Sequence, residues 1–248
     1  MSADGGPRIL NFPMSTSDHT PCPSFVALLF FLGVIFGPAG RLRADDPAEL
    51  LLLFEDDFEK GSGRWQATDA KAWKVVESES KRVYSLFQQS KYEPPHRSPL
   101  NFSLVREVNV GDFALETRLR STVKDYAHRD LCLIFGYQDP AHFYYVHLGK
   151  QTDDHANQVF IVNDAPRVKI STKTSAGTNW DDAWHEVKIV RRTAEGTIRV
   201  YFDDLETPVM TATDKTFTWG QVGVGSFDDT GDFDDVKLNG VQVERPGK

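Results

Sequence analysis

From residue 45 onward no stretch of the chain carries apolar residues at helical spacing. Short runs that alternate apolar and polar follow one another instead, broken by Gly, Pro, Asp and Asn. Alternation sends successive side chains to opposite faces of a strand, so a chain written this way is confined to all-β architectures. Residues 112–123 (DFALETRLRSTV) are the clearest case. Phe113, Leu115 and Leu119 share one face; Glu116, Arg118 and Arg120 share the other. Residues 131–138 (LCLIFGYQ) are apolar on both faces, as a central strand requires. Asp139-Pro140 turns the chain and residues 142–148 (HFYYVHL) return. There Tyr144, Val146 and Leu148 look inward, leaving Phe143, Tyr145 and His147 on the opposite face.

Residues 72–77 with 82–87, 158–163 with 167–171, and 184–192 with 197–203 read as paired strands. The last pair flanks Glu195-Gly196, a tight-hairpin signal. About a dozen strands at this spacing suit a sandwich or jelly roll. Residues 51–59 (LLLFEDDFE) open this region, and 220–227 (GQVGVGSF) with 233–238 (FDDVKL) close it. Ends built alike predict one domain, residues 45–248, whose first and last strands meet.

Hydrophobic residues make up 40% and aromatic residues 12%, enough to bury a core. The net charge of −8 argues against nucleic acid as a partner, because phosphate binding needs a basic stripe. Residues 25–36 are an unbroken run of apolar residues and Gly, too short for a comfortable membrane span and suited to a signal-peptide core. Residues 1–44 therefore read as a signal peptide, starting at Met1 or Met14, with an uncleaved membrane anchor as the competing reading. Either one predicts an exported protein: periplasmic, extracellular or at the cell surface. Without that leader Cys132 is the one cysteine, and it reads as a small buried hydrophobe.

Three phrases, FEDDFE (54–59), DFALETRLR (112–120) and GQVGVGSFDDTGDFDDVKL (220–238), resemble the concanavalin A-like lectin/glucanase superfamily. The resemblance implies a concanavalin A-like jelly-roll sandwich of two antiparallel sheets, one of them curved into a concave groove. The layout is most similar to exported bacterial domains related to the 3-keto-disaccharide hydrolases. Where those carry Asn-Ser-Gly before the apolar strand, this chain has His128-Arg129-Asp130. Superfamily members include lectins, glycosidases, lyases and adhesion modules, so the fold alone does not choose an activity. Three functions follow as expectations: an oligo- or polysaccharide bound in the groove, a glycoside-cleaving hydrolase or lyase, and a structural or adhesion domain without a small ligand.

Retaining glycosidases need two carboxyl groups about 5 Å apart. The acidic stretches at 55–59, 203–206 and 228–235 lie at the ends of the fold or in a turn, so a glucanase-type pair is not expected. His147 and His128 are the candidate catalytic acid–base residues. Arg118, Arg120, Tyr145, His155, Asn157 and Tyr201 are the candidate saccharide contacts; the competing reading makes them the solvated side of half-exposed strands. Trp180 is the tryptophan expected to stand exposed for stacking. Asp57 and Asp235, neighbours if the terminal strands pair, are candidate ligands of a structural calcium, or else turn caps facing water. The seven His show no HxxxH or HxH spacing, so zinc is not expected.

Overall fold

The computed structural model describes residues 50–245. The leader lies outside the described residues. Among the described residues sixteen strands form two antiparallel sheets, more than the dozen expected because several are only two to five residues long. A 3-10 turn spans Ala70–Ala72.

The larger sheet has nine strands. Its order is β11 (Ser171–Thr174), β14 (Met210–Thr213), β13 (Thr197–Phe202), β12 (His185–Arg192), β6 (Val110–Ser121), β16 (Gly231–Gln242), β4 (Lys81–Leu86) and β3 (Trp73–Ser78). The ninth, β1 (Leu51–Asp56), also pairs with β16. The second sheet runs β10 (Val168–Lys169), β9 (Gln158–Asn163), β8 (His142–Gly149), β7 (Asp130–Asp139), β15 (Gln221–Ser226), β5 (Asn101–Val105) and β2 (Trp65–Ala67).

The terminal strands meet as expected, with Asp56 opposite Val236 and Leu51 opposite Gly240. Strand β16 has β6 along one edge. Its other edge is divided: residues 231–233 face β4, and residues 236–240 face β1. The changeover is a bulge at Asp234–Lys237, where Asp235 takes a positive φ of 49°. An extra residue there bends the strand and re-aims its side chains.

The opening acidic phrase secures this seam. Asp56 Oδ1 accepts from Phe58 N and Oδ2 from Trp65 Nε1, both at 3.0 Å. Phe58 and Trp65 are thereby held against Tyr84, which stacks on Trp73, and Trp73 in turn packs on Phe233 of β16.

The alternation expected for β6 and β8 is observed, and β13 alternates in the same way. Phe113, Leu115, Leu119, Tyr144, Val146, Leu148, Ile198, Val200 and Phe202 all enter the core between the sheets. A second apolar layer lies on the outer face of the seven-stranded sheet. It comprises Phe102, Leu104, Cys132, Ile134, Phe143, Tyr145, Phe160 and Val162, and Tyr92, Tyr137 and Phe227 pack over it. The outer face of the seven-stranded sheet is therefore sealed around Tyr145, which is fully buried.

Candidate functional site

Two polar regions stand out on this frame. The first is the outer face of the nine-stranded sheet. Strand β6 presents Arg118 and Arg120 there, and both guanidinium groups lie over the ring of Trp184, at 5.1 and 4.7 Å. Arg120 donates to Asp232 and Ser78, both at 2.8 Å, and to Glu79 at 3.1 Å. Arg118 donates to Asp235 at 3.3 Å. Lys188 lies over the buried ring of Tyr201 at 4.5 Å. A 220 Å³ cleft between Arg118, Glu186 and Leu205 includes Glu116 and Asp235. The same two residues line a 660 Å³ cleft that runs on to Asp57, Glu59, Lys60, Arg64 and Lys237.

The second region is a buried polar cluster at one end of the seven-stranded sheet. Asp130 opens β7, and Cys132, two residues on, shares its face. His147 on β8 is the register partner of Cys132. The loop after β15 brings Asp228 and Asp229 over them. One oxygen of Asp130, Oδ2, accepts from Phe227 N at 3.0 Å and from Cys132 Sγ at 3.5 Å, and lies 3.2 Å from His147 Nε2. Asp229 accepts from Asp130 N at 2.9 Å and from Tyr126 OH at 2.7 Å. The ring of His147 lies parallel to Phe227, 5.8 Å away.

Three atoms in this cluster are buried without a hydrogen-bond partner: Asp130 Oδ1, His147 Nδ1 and His147 Nε2. Burial pushes the Asp229 carboxyl up to about 6 and also raises Asp228, with the Asp130 charge adding to both. Burial, then Asp130, raises the Cys132 thiol. Arg167 is the strong cation at hand. It donates to Tyr145 OH at 2.8 Å and lies over Phe227 and Phe160.

Neither the models of known protein families nor the curated proteins match the sequence. Solved structures match at the level of fold. The carbohydrate-binding module CBM66 from Bacillus subtilis aligns at 16% identity and TM-score 0.51, over 71% of this chain and 95% of its own. The cellulose-induced protein Cip1 aligns at 14% and 0.52, over 78% and 100%. Peanut lectin aligns at 14% and 0.50, over 77% and 98%. The chain has a concanavalin A-like jelly-roll fold.

The jelly roll does not bring the candidate site residues into one pocket. Arg118, Arg120 and Tyr201 lie on the outer face of the nine-stranded sheet. Tyr145 and His147 belong to the outer face of the other sheet, with the core between. Alternation along a strand reports inward or outward, and two sheets have two outward faces.

Among the other candidates, His128 and His155 are exposed around Asp153, near the end of the sheet that holds His147. Asn157 is fully buried, and its amide donates to Thr152, Thr174 and Ser175, which makes it a clamp for the chain. Trp180, expected in solvent, is 2% exposed and donates from Nε1 to Leu148 O. Asp57 and Asp235 do share the 660 Å³ cleft. However, Asp57 accepts from Glu59 N, and Asp235 is ion-paired with Arg118 and Lys81. Among the described residues, the groups whose donor atoms gather at metal-binding distance are Asp130, Cys132 and His147, and Asp130, Asp228 and Asp229. Sequence reading did not single out Asp130, Asp228, Asp229 or Trp184. The one available signal was an Asp two residues before a Cys on an otherwise apolar strand.

Proposed function

We propose that this jelly roll recognises a saccharide outside the cell, along the outer face of its nine-stranded sheet. The observation that carries the reading is the pair of adjoining clefts, 660 and 220 Å³, that meet at Glu116 and Asp235. Their size suits a small oligosaccharide, and acids, Arg118 and Lys237 provide hydroxyl partners of both signs. Trp184 beside them adds an aromatic edge. The sealed aromatic layer on the other sheet offers a sugar no such access.

Isothermal titration of the protein against a panel of neutral and acidic oligosaccharides tests this. Binding is expected, and Arg118→Ala together with Lys237→Ala is expected to weaken it at least about tenfold. Absence of binding across the panel, or binding indifferent to those variants, overturns the assignment. Of the two candidate acid–base residues, His147 is 6% exposed and stacked on Phe227, and the exposed His128 lines neither cleft. The oligosaccharides are therefore expected to keep their mass after prolonged incubation.

A further inference from the structure

We infer that Asp130, Cys132 and His147 bind a zinc-class divalent cation, with Asp228 closing the coordination. The inference stands on geometry. One donor atom each from Asp130, Cys132 and His147 lies within 4.8 Å of the others, and Asp130 belongs to a second such group with Asp228 and Asp229. Three different donors on two adjacent strands hold this spacing because Asp130 and Cys132 share a strand face and His147 stands opposite Cys132.

The second observation is unmet demand. Asp130 is 1% exposed and His147 6%, yet Asp130 Oδ1 and both His147 ring nitrogens lack hydrogen bonds. The 3.2 Å approach of His147 Nε2 to Asp130 Oδ2 is a close contact without hydrogen-bond geometry. Buried polar atoms are costly to leave unpaired, and a histidine with both nitrogens unpaired is costlier still. A cation held by one ring nitrogen of His147 and by the Asp130 carboxylate meets part of that demand. Asp229 does not need to be a ligand, because Tyr126 OH and Asp130 N already occupy its oxygens. It holds the start of β7 in position, as outer partners of a metal site do.

The donor set chooses the ion. Thiolate and imidazole favour zinc and its late first-row neighbours, whereas calcium takes oxygen ligands. Three ligands are sealed, and Asp228, whose carboxylate gathers with those of Asp130 and Asp229, is exposed and closes the coordination by turning toward Cys132 and His147. Four protein ligands make a closed, structural site tying β7, β8 and the 227–229 loop. Binding releases the Cys132 proton to solvent. A thiolate and two carboxylates carry more negative charge than a dication neutralises, and Arg167 over Phe227 offsets the remainder. The inference is independent of saccharide recognition.

The test uses the full chain, stripped with chelator and reloaded with zinc, calcium or cobalt(II). One equivalent of zinc is expected by elemental analysis. Zinc well above its Kd is expected to raise the melting temperature by about 5–10 °C, and calcium to leave it unchanged. Cobalt(II) is expected to give thiolate charge-transfer absorption and the strong visible bands of a four-coordinate ion. Cys132→Ala is expected to abolish the charge-transfer band and weaken zinc at least about 100-fold. Asp228→Asn, at an exposed position that does not threaten folding, is expected to weaken zinc at least about tenfold. Failure of the wild-type chain to retain zinc, or retention unaltered in both variants, overturns the inference.

Discussion

Arg129 and Arg191 head the large side chains that the fold buries completely or nearly so. Each guanidinium donates to at least one backbone carbonyl. Arg129 donates to Ser121 O and Oγ and to Asp182, all at 2.9 Å. Arg191 donates to Gly196 O and Phe217 O. Arg129 thus staples the end of β6 to the start of β7 from inside the protein. Arg129→Met should cost about 3 kcal/mol by leaving the Ser121 carbonyl unpaired. Asp182 is almost fully exposed, so Asp182→Asn should cost no more than about 1 kcal/mol. Urea denaturation of the two variants makes the comparison.

His142 gives a pH-dependent counterpart. It lies 2.8 Å from Asp139 and 3.1 Å from Asp164. Burial lowers its pKa, and the two carboxylates more than reverse this, so the net shift is upward from 6.5. The protonated ring therefore stabilises the fold fully below about pH 6.5, and the contribution is lost as pH rises through the higher folded value. His142→Gln should be less stable than wild type near pH 5.5 and match it near pH 9, when melting temperatures are followed across that range.

At this scale the sequence was readable for inward and outward and opaque for company. Tyr145 was correctly placed away from the core, but nothing local announces that Tyr92 and Phe227 will cover it. Those contacts join residues far apart in the chain. Trp180 misled for a related reason: Gly and Asn beside it suggest a loop, and the loop is tucked beneath Leu148.

At the scale of elements, the hairpins β3–β4, β7–β8 and β12–β13 were legible because their two strands are close in sequence and a turn residue separates them. Strands β2 and β5 were not. They have three and five residues, too few to show a period, and their partners lie elsewhere in the chain.

Strand β15 shows what its alternating glycines are for. It lies between β5 and β7, and a Cβ on Gly225 would collide with the Asn101 carbonyl and with Phe102. Bare backbone on that side lets the neighbour come close while Val222 and Val224 fill the core. Gly225→Ala should push β5 away and destabilise by about 3 kcal/mol. A lowered urea midpoint with an unchanged slope would register this. A stability equal to wild type would contradict the close approach.

At the scale of the molecule, both sheets depend on pairings between distant parts of the chain. The acidic phrases at the two ends illustrate this. As a sequence they offered Asp57 and Asp235 as calcium ligands or as turn caps, and no glucanase-type pair. In the fold, Asp56 fixes a turn and an indole, and Asp235 marks the bulge where β16 changes partners. The pairing of the ends was legible from their likeness, whereas the division of one strand edge between β4 and β1 was not. A chain shortened to residue 230 should lose solubility, because β1, β4 and β6 would all face water along unpaired edges. Comparing soluble yields of the full and shortened chains tests this.

Strand β16, to which these three pair, also sets a schedule. In order of synthesis β16 comes after β1, β4 and β6, the three strands it joins. Until residue 242 has emerged, three waiting strands have no common partner and the larger sheet cannot close. Closure of that sheet therefore rests on contacts that span most of the sandwich's own length, the kind of long-range pairing that folds slowly.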